Sequence, residues 1–286
     1  SECERMSSCG SGKLAKAIPH IPEKPVWSEF CRLEEVKKQF QGRKKLPFGY
    51  NLATADIAGM DLAHTYCYLI SGKARTGKTN LLRIMMRAAK AKQGRLILVE
   101  FGTEELRTEA EALEARYVDS EAEYLSFIQT MIPVFQERSR LQKSMRAQAM
   151  EDEEIFARMS EEEPCFIFIA DLAEYVKAMH GEFGRENNLC GAMTNFLEKG
   201  SLLNIYFIAA FNWDKRGVAI GLSVYESFIR YKTGVHLGGN AASQSILEFQ
   251  DISYKELSGA DKAGCGILAY ADPISSIRVV TPFARG

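Results

Sequence analysis

The segment Gly72-Lys73-Ala74-Arg75-Thr76-Gly77-Lys78-Thr79 matches G-x-x-x-x-G-K-[ST] at every fixed position, and it constrains the fold more than any other stretch of the chain. The apolar run Cys67-Tyr68-Leu69-Ile70 precedes it, and a helix-like stretch from Leu81 to Lys90 follows. Strand, loop and helix in that order are what a phosphate-binding loop requires. Glycines let the backbone wrap closely around a polyphosphate, so that successive N–H groups and a helix N-terminus point at the anion. In such a loop Lys78 reaches the β- and γ-phosphates, and the Thr79 hydroxyl ligates Mg²⁺. Gly72, Lys73, Ala74, Arg75, Thr76, Gly77, Lys78, Thr79 and Asn80 are the candidate phosphate contacts. The competing reading is a Gly-rich turn with a solvated lysine; the flanking strand and helix favour the nucleotide site.

Short apolar runs alternate with helical stretches from about residue 64 onward. Thr65–Ile70, Leu96–Phe101, Cys165–Ala170 and Ile205–Phe211 are expected strands, each nearly continuous in apolar residues, as strands covered on both faces are. Ser120 and Glu123 form a capping-box pattern that opens a long helix, with Tyr124, Phe127, Ile128, Met131 and Phe135 at helical spacing. Its charged continuation, Glu137 to Met150, is expected on the surface. Asn187–Lys199 is a second amphipathic helix, and Trp27–Gln41 a short one. Phe228–Thr233, Gly266–Ala271 and Ile277–Val280 read as further strands after a shift to shorter elements. The fold class that follows is α/β: a mostly parallel central sheet between helices, with extra C-terminal strands. Residues 1–26, with three prolines between Pro19 and Pro25, read as a linker, and 27–286 as the domain.

Thirty-six basic and 37 acidic residues leave a net charge of −1, which argues against a dedicated duplex-DNA binder. No apolar run approaches the ~20 residues that cross a bilayer, so the chain is not expected to span a membrane itself. It begins at Ser1 rather than Met, as a fragment of a longer chain would. Seven cysteines at irregular spacing, without a C-x-x-C pair, give no zinc or disulfide framework and read as reduced thiols.

Phe166-Ile167-Phe168-Ile169-Ala170-Asp171 ends an apolar run in an aspartate, where a P-loop NTPase holds the metal's water shell. Asp171 is the candidate for Mg²⁺ support; an N-cap after a strand is the alternative. The next residue is Leu172, where an activating glutamate often stands, and Glu174 can approach only if the strand breaks early into a helical turn. Asn212, at the end of the fourth strand, reads equally as a γ-phosphate sensor or as a turn residue. Arg75, Arg216 and Arg230 are candidate trans-acting cations.

At these residues the chain resembles the FtsK/SpoIIIE superfamily of P-loop motors, and more narrowly the C-terminal ATPase module of type VII secretion motors of the EssC/EccC kind. The resemblance runs from about residue 18 to 283. It rests on Ile18-Pro19-His20-Ile21-Pro22-Glu23, Leu46-Pro47-Phe48-Gly49, Gly77-Lys78-Thr79-Asn80-Leu81-Leu82, the segment from Phe228 to Asn240, Ser243 to Leu247, and Ala263-Gly264-Cys265-Gly266-Ile267-Leu268. It implies a RecA-like core, ATP and Mg²⁺ as ligands, and a cytoplasmic module of a bacterial plasma-membrane protein. It also implies partner ATPase modules in the same chain, assembly as a homo-hexamer, and WxG-type helical-hairpin proteins as exported partners. Leu172 departs from the acidic residue of active members, so a degenerate module with weak or absent hydrolysis is expected, acting in substrate recognition or motor regulation. The rivals are an active FtsK-like DNA translocase and a substrate-docking module whose nucleotide is structural.

Overall fold

Apolar runs too short for helices and too continuous for exposed strands fix the centre of the molecule. The computed structural model describes residues 20–269 and 276–285. Among them, ten strands form one sheet: β1 (Lys45–Asn51), β2 (Ile57–Asp61), β3 (Cys67–Gly72), β4 (Arg95–Val99), β5 (Arg116–Val118), β6 (Cys165–Ile169), β7 (Ile205–Asn212), β8 (Gly234–Leu237), β9 (Cys265–Ala269) and β10 (Ile277–Val280). Their order is β2-β1-β10-β9-β8-β3-β7-β6-β4-β5. The six strands from β8 to β5 are parallel, and the other four join antiparallel at the β8 edge. Every residue of β3 and β6 is buried, which is why these strands lack a polar face.

The helices are α1 (Trp27–Phe30), α2 (Glu34–Gln41), α3 (Lys78–Ala91), α4 (Arg107–Ala112), α5 (Glu121–Ala147), α6 (Asp152–Met159), α7 (Leu172–His180), α8 (Glu182–Glu186), α9 (Leu189–Lys199), α10 (Arg216–Ala219), α11 (Ser223–Ile229) and α12 (Tyr254–Ser258). Helix α3 directs Leu81, Leu82, Ile84, Met85, Met86, Ala88 and Ala89 into the core. This places its N-terminus over the end of β3. Parallel register then sets the site: Gly72 lies opposite Asn212, and Ile169 opposite both Ala209 and Val99. The C-terminal ends of β3, β7, β6 and β4 therefore share one edge, where open α/β sheets bind ligands.

The four expected central strands are present, each within two residues of its expected bounds. Three other expectations need correction. Phe228–Thr233 is not a strand: Val224, Tyr225 and Phe228 lie on the buried side of α11, Lys232 turns at φ +52°, and the strand starts at Gly234. The Trp27–Gln41 segment is two helices rather than one. The charged half of α5 is not wholly on the surface, because Met145 and Arg138 are buried. The Arg138 guanidinium donates to the carbonyls of Leu203, Asn204 and Glu163, tying the helix to the start of two strands. The last strand but one ends at Ala269; Tyr270 and Ala271 lie outside the described residues, as do residues 1–19 of the expected linker. Strands β2 and β5 were not expected. The described end of the linker pairs with the C-terminal segment, the Phe283 N–H donating to the Pro25 carbonyl at 2.8 Å. The described cysteines are all free thiols, and burial pushes that of Cys165 up to about 12.

His236 on β8 lies opposite Ser71, 3.3 Å from its hydroxyl, and is almost wholly buried. Burial lowers its pKa to about 4; a backbone bond at Gly239 opposes this, and the charge of Lys78 adds to it. Against an unfolded value near 6.5, the folded state binds fewer protons between pH 6.5 and 4. Stability is thus unaffected by this residue above pH 6.5 and is lost as pH falls through that window. Urea unfolding at pH 7 and pH 4.5 is expected to show a loss that His236→Gln reduces by about 2–3 kcal/mol.

Candidate functional site

The loop between β3 and α3 needs glycine at both ends. Gly72 has φ +155°, and a Cβ there would meet the Leu237 carbonyl oxygen at 2.5 Å and Thr76 Oγ1 at 2.6 Å. Gly77, at φ +104°, is the N-cap of α3, and a Cβ there would press on the Gly264 nitrogen at 3.1 Å. Inside the loop, Thr76 Oγ1 donates to the Lys73 carbonyl at 3.0 Å. From behind, the Gly264 N–H donates to the Thr76 carbonyl at 2.9 Å. The Ala263-Gly264-Cys265 segment thus braces the loop.

Lys78 Nζ donates to the Lys73 carbonyl. Burial pulls the Lys78 ammonium below its usual range, and the charges of Asp171 and Asp214 act in the opposite direction. A partly desolvated ammonium beside the free N–H groups of a 14-residue helix is a site for an anion. Asn80 contributes differently: its Nδ2 donates to the Pro282 carbonyl and its Oδ1 accepts from the Ala284 N–H, both at 2.8 Å. Its side chain holds the C-terminal segment and leaves only its backbone for a ligand. Lys73, Ala74 and Arg75 are exposed, Arg75 at φ +63°.

A cleft of about 520 Å³ opens beside the loop, and Ala74, Lys78, Thr79, Asp171, Glu174 and Asn212 all line it. Asp171 caps α7, its Oδ1 accepting from the N–H of Ala173 at 2.9 Å and of Glu174 at 3.4 Å. Its Oδ2 accepts from Lys215 Nζ at 2.7 Å, and Lys215 also reaches Glu174 Oε1 at 3.1 Å. The hydrogen bond to Asp171 holds the Lys215 ammonium above its ordinary range, burial opposing and Glu174 adding to it. Strand β6 does break early, at Ile169, so Glu174 sits in the first turn of α7 and faces the cleft. Leu172 is 0% exposed; the position after Asp171 faces the core, and a carboxylate there would be buried. Asn212 Oδ1 accepts from the Asp214 N–H at 3.2 Å, capping the turn Trp213–Lys215, so its turn role is met while it lines the cleft.

Two cleft residues escaped sequence reasoning. Glu100, 2% exposed at the end of β4, accepts from the Tyr117 hydroxyl, the Thr103 hydroxyl and the Leu106 N–H. A carboxylate just before Gly102 at the end of an apolar run was its only signal. Lys215 had none, because its partners are 44 and 41 residues away. Of the candidate cations, Arg216 stacks over Trp213 at 4.9 Å and Arg230 pairs with Glu198 at 3.2 Å. Only Arg75 belongs to the loop. A larger cleft, about 700 Å³ between α1, α2, α3 and α4, contains none of the predicted residues.

The loop fits a polyphosphate. The fit to Mg²⁺ is poorer: Thr79 offers a hydroxyl, but both oxygens of Asp171 are engaged, one by a cation. Among the described residues no group of three or more His, Cys, Asp or Glu is placed to hold a metal ion.

No protein-family model and no curated protein matches the chain. Solved structures do. The cytoplasmic domain of EssC superposes with a TM-score of 0.77 at 15% identity, over 99% of this chain and 51% of that one. The chain has the RecA-like fold of a P-loop ATPase. EccC ATPases 2 and 3 of Thermomonospora curvata, in complex with a signal sequence peptide, match at 0.64 and 15% identity, over 99% and 47%. The pCW3 conjugation coupling protein TcpA with ATPγS matches at 0.66 and 12%, over 93% and 71%. The chain thus spans about half the length of the EssC and EccC structures. Among its described residues the chain has no helix long and apolar enough to cross a membrane.

The two jobs of Asp171 are separable by mutation. Asp171→Asn keeps a capping oxygen and loses the charge facing Lys215, whereas Asp171→Ala loses both. The alanine variant is expected to be less stable than the asparagine variant by about 1 kcal/mol, the worth of an N-cap, in denaturant unfolding.

Proposed function

We infer that residues 27–286 form the ATP-binding module of a type VII protein secretion motor, with weak or absent hydrolysis and a role in receiving exported substrate. The nucleotide part of this reading rests on the desolvated Lys78 in a glycine-ended loop braced by Gly264. Lys78 would take the β- and γ-phosphates, with Gly72 to Thr79 cradling them through backbone N–H groups. Low turnover is supported by Leu172, which is buried and puts no carboxylate directly after Asp171. Asn212 is the candidate to sense the terminal phosphate through its amide.

The EssC and EccC likeness supports a motor setting: companion ATPase modules in the same chain, a homo-hexameric assembly, and a position on the cytoplasmic side of a plasma membrane. The likeness to a conjugation coupling protein favours a second reading, an FtsK-like DNA translocase, against which the net charge of −1 weighs.

For the receptor role, the segment after β7 is the candidate. Ala219, Val224 and Tyr225 are core, whereas Val218 and Ile220 are 54% and 61% exposed, and Leu222 is half-buried. Two exposed aliphatic side chains on one short segment suit the apolar face of an amphipathic helix, as a WxG-type helical hairpin would present. The EccC structure with its signal sequence peptide supports a peptide of that origin.

Lys78→Ala removes the point charge aimed at the phosphates. It is expected to weaken ATP binding by about one to two decades in a calorimetric titration, the worth of a charge-assisted contact of roughly 1.5–3 kcal/mol. Unchanged affinity rejects the loop assignment. Ile220→Asp is expected to weaken capture of an export-signal peptide while leaving the melting temperature nearly unchanged, since the side chain is exposed. Loss of the fold would make Ile220 core; normal capture would put the receptor surface elsewhere.

A further inference from the structure

The engagement of Asp171 has a consequence for the metal. Lys215 Nζ lies 2.7 Å from Asp171 Oδ2 and 3.1 Å from Glu174 Oε1, and all three residues line the cleft that holds Lys78 and Thr79. Asp171 Oδ1 is turned toward the N–H groups of α7, so Oδ2 is the oxygen left to face a metal's water. An ammonium occupies it. We propose, resting on the nucleotide reading above, that Lys215 is a resident cation that stands in for Mg²⁺ at Asp171, so that this chain binds nucleotide independently of divalent metal.

Three observations carry the argument. Lys215 bridges two carboxylates, so with it in place the pair has a net charge of −1, and without it −2; the lysine therefore lowers the attraction for a divalent ion. The residue ends the Asn212-capped turn Trp213–Lys215, whose backbone fixes where the side chain starts. Thr79 still offers a hydroxyl to a small hard cation, but Mg²⁺ is held by one or two carboxylates together with phosphates in such sites, and the two carboxylates on Lys215 are shared with its ammonium. Asp171, Glu174 and Lys215 are all partly exposed, so the ion pairs are screened and the competition is finite. Its size should be roughly tenfold in affinity rather than an absolute exclusion.

The test is equilibrium binding of a fluorescent ATP analogue to the chain, in excess Mg²⁺ and in EDTA, for the native protein, Lys215→Met and Lys215→Arg. Lys78→Ala is the control for the nucleotide reading. Native protein is expected to bind within about threefold in the two buffers. Lys215→Met should bind about tenfold more weakly in EDTA and recover in Mg²⁺, because two unshielded carboxylates then face the phosphates or the metal. Lys215→Arg keeps the charge and should stay near the native pattern. Circular dichroism of each variant establishes that it is folded; if Lys215→Met is not, Lys215→Gln takes its place. A native protein that loses tenfold or more in EDTA, with Lys215→Met behaving identically, overturns the proposal and leaves the nucleotide reading standing. Binding in neither buffer, or binding that Lys78→Ala does not weaken, overturns the nucleotide reading and this proposal with it.

Discussion

The cleft depends on one backbone contact, the Gly264 N–H on the Thr76 carbonyl at 2.9 Å. A loop that must leave its own N–H groups free for an anion cannot bond its carbonyls with its own backbone. Side chains hold the Lys73 carbonyl from within, and the Thr76 carbonyl is held from outside. Gly264 does this from the turn before β9, and Gly77 makes room for it by lacking a Cβ. Asn80 adds a second tie, one turn into α3, by gripping Pro282 and Ala284. The C-terminal strands and tail, remote in sequence, are therefore the mould of the loop rather than an appendage to the sheet. Their antiparallel pairing to β8 brings them back across the edge where the loop sits.

The same logic explains what could be read in advance. Strands β3, β4, β6 and β7 were legible because burial on two faces leaves a continuous apolar run that helices do not tolerate at that length. The loop was legible because its sterics demand glycine at fixed spacing. By contrast, Phe228–Thr233 carries as many large apolar residues as a strand, but its start belongs to α11, whose buried Val224, Tyr225, Ser227 and Phe228 fall at helical spacing. Only the tertiary wall against which α11 packs decides between the two. Strand β5 is three residues long and carries no pattern of its own. Asp171 held two readings, Mg²⁺ support and N-cap; the cap is realised on one oxygen, and the other meets Lys215, a partner the sequence did not offer.

The two lysines of the cleft show how far environment outweighs residue type. Lys78 is partly desolvated and pushed below its usual range, with the charges of Asp171 and Asp214 opposing the shift. Lys215 is less buried and pushed the other way by two carboxylates in direct contact. An incoming polyanion therefore gains most from Lys78, whose charge is poorly compensated, and must compete for Lys215, whose charge is already in use. The sequence marks Lys78 by its place in the G-x-x-x-x-G-K-[ST] motif and gives no mark to Lys215.

That difference also determines which part of the molecule can adjust the site. Lys78 is fixed by the loop and by Gly264, so its position follows the core of the sheet. Lys215 is fixed by a single short turn, capped by Asn212 and continued directly into α10. Val218 and Ile220, the exposed aliphatic pair, lie three and five residues beyond Lys215 on that same segment. Buried Trp213 and Ala219 anchor the segment to the core on either side of Lys215. The lysine on Asp171 and the exposed pair thus share one short element, whereas the phosphate loop is braced separately, from behind, by Gly264.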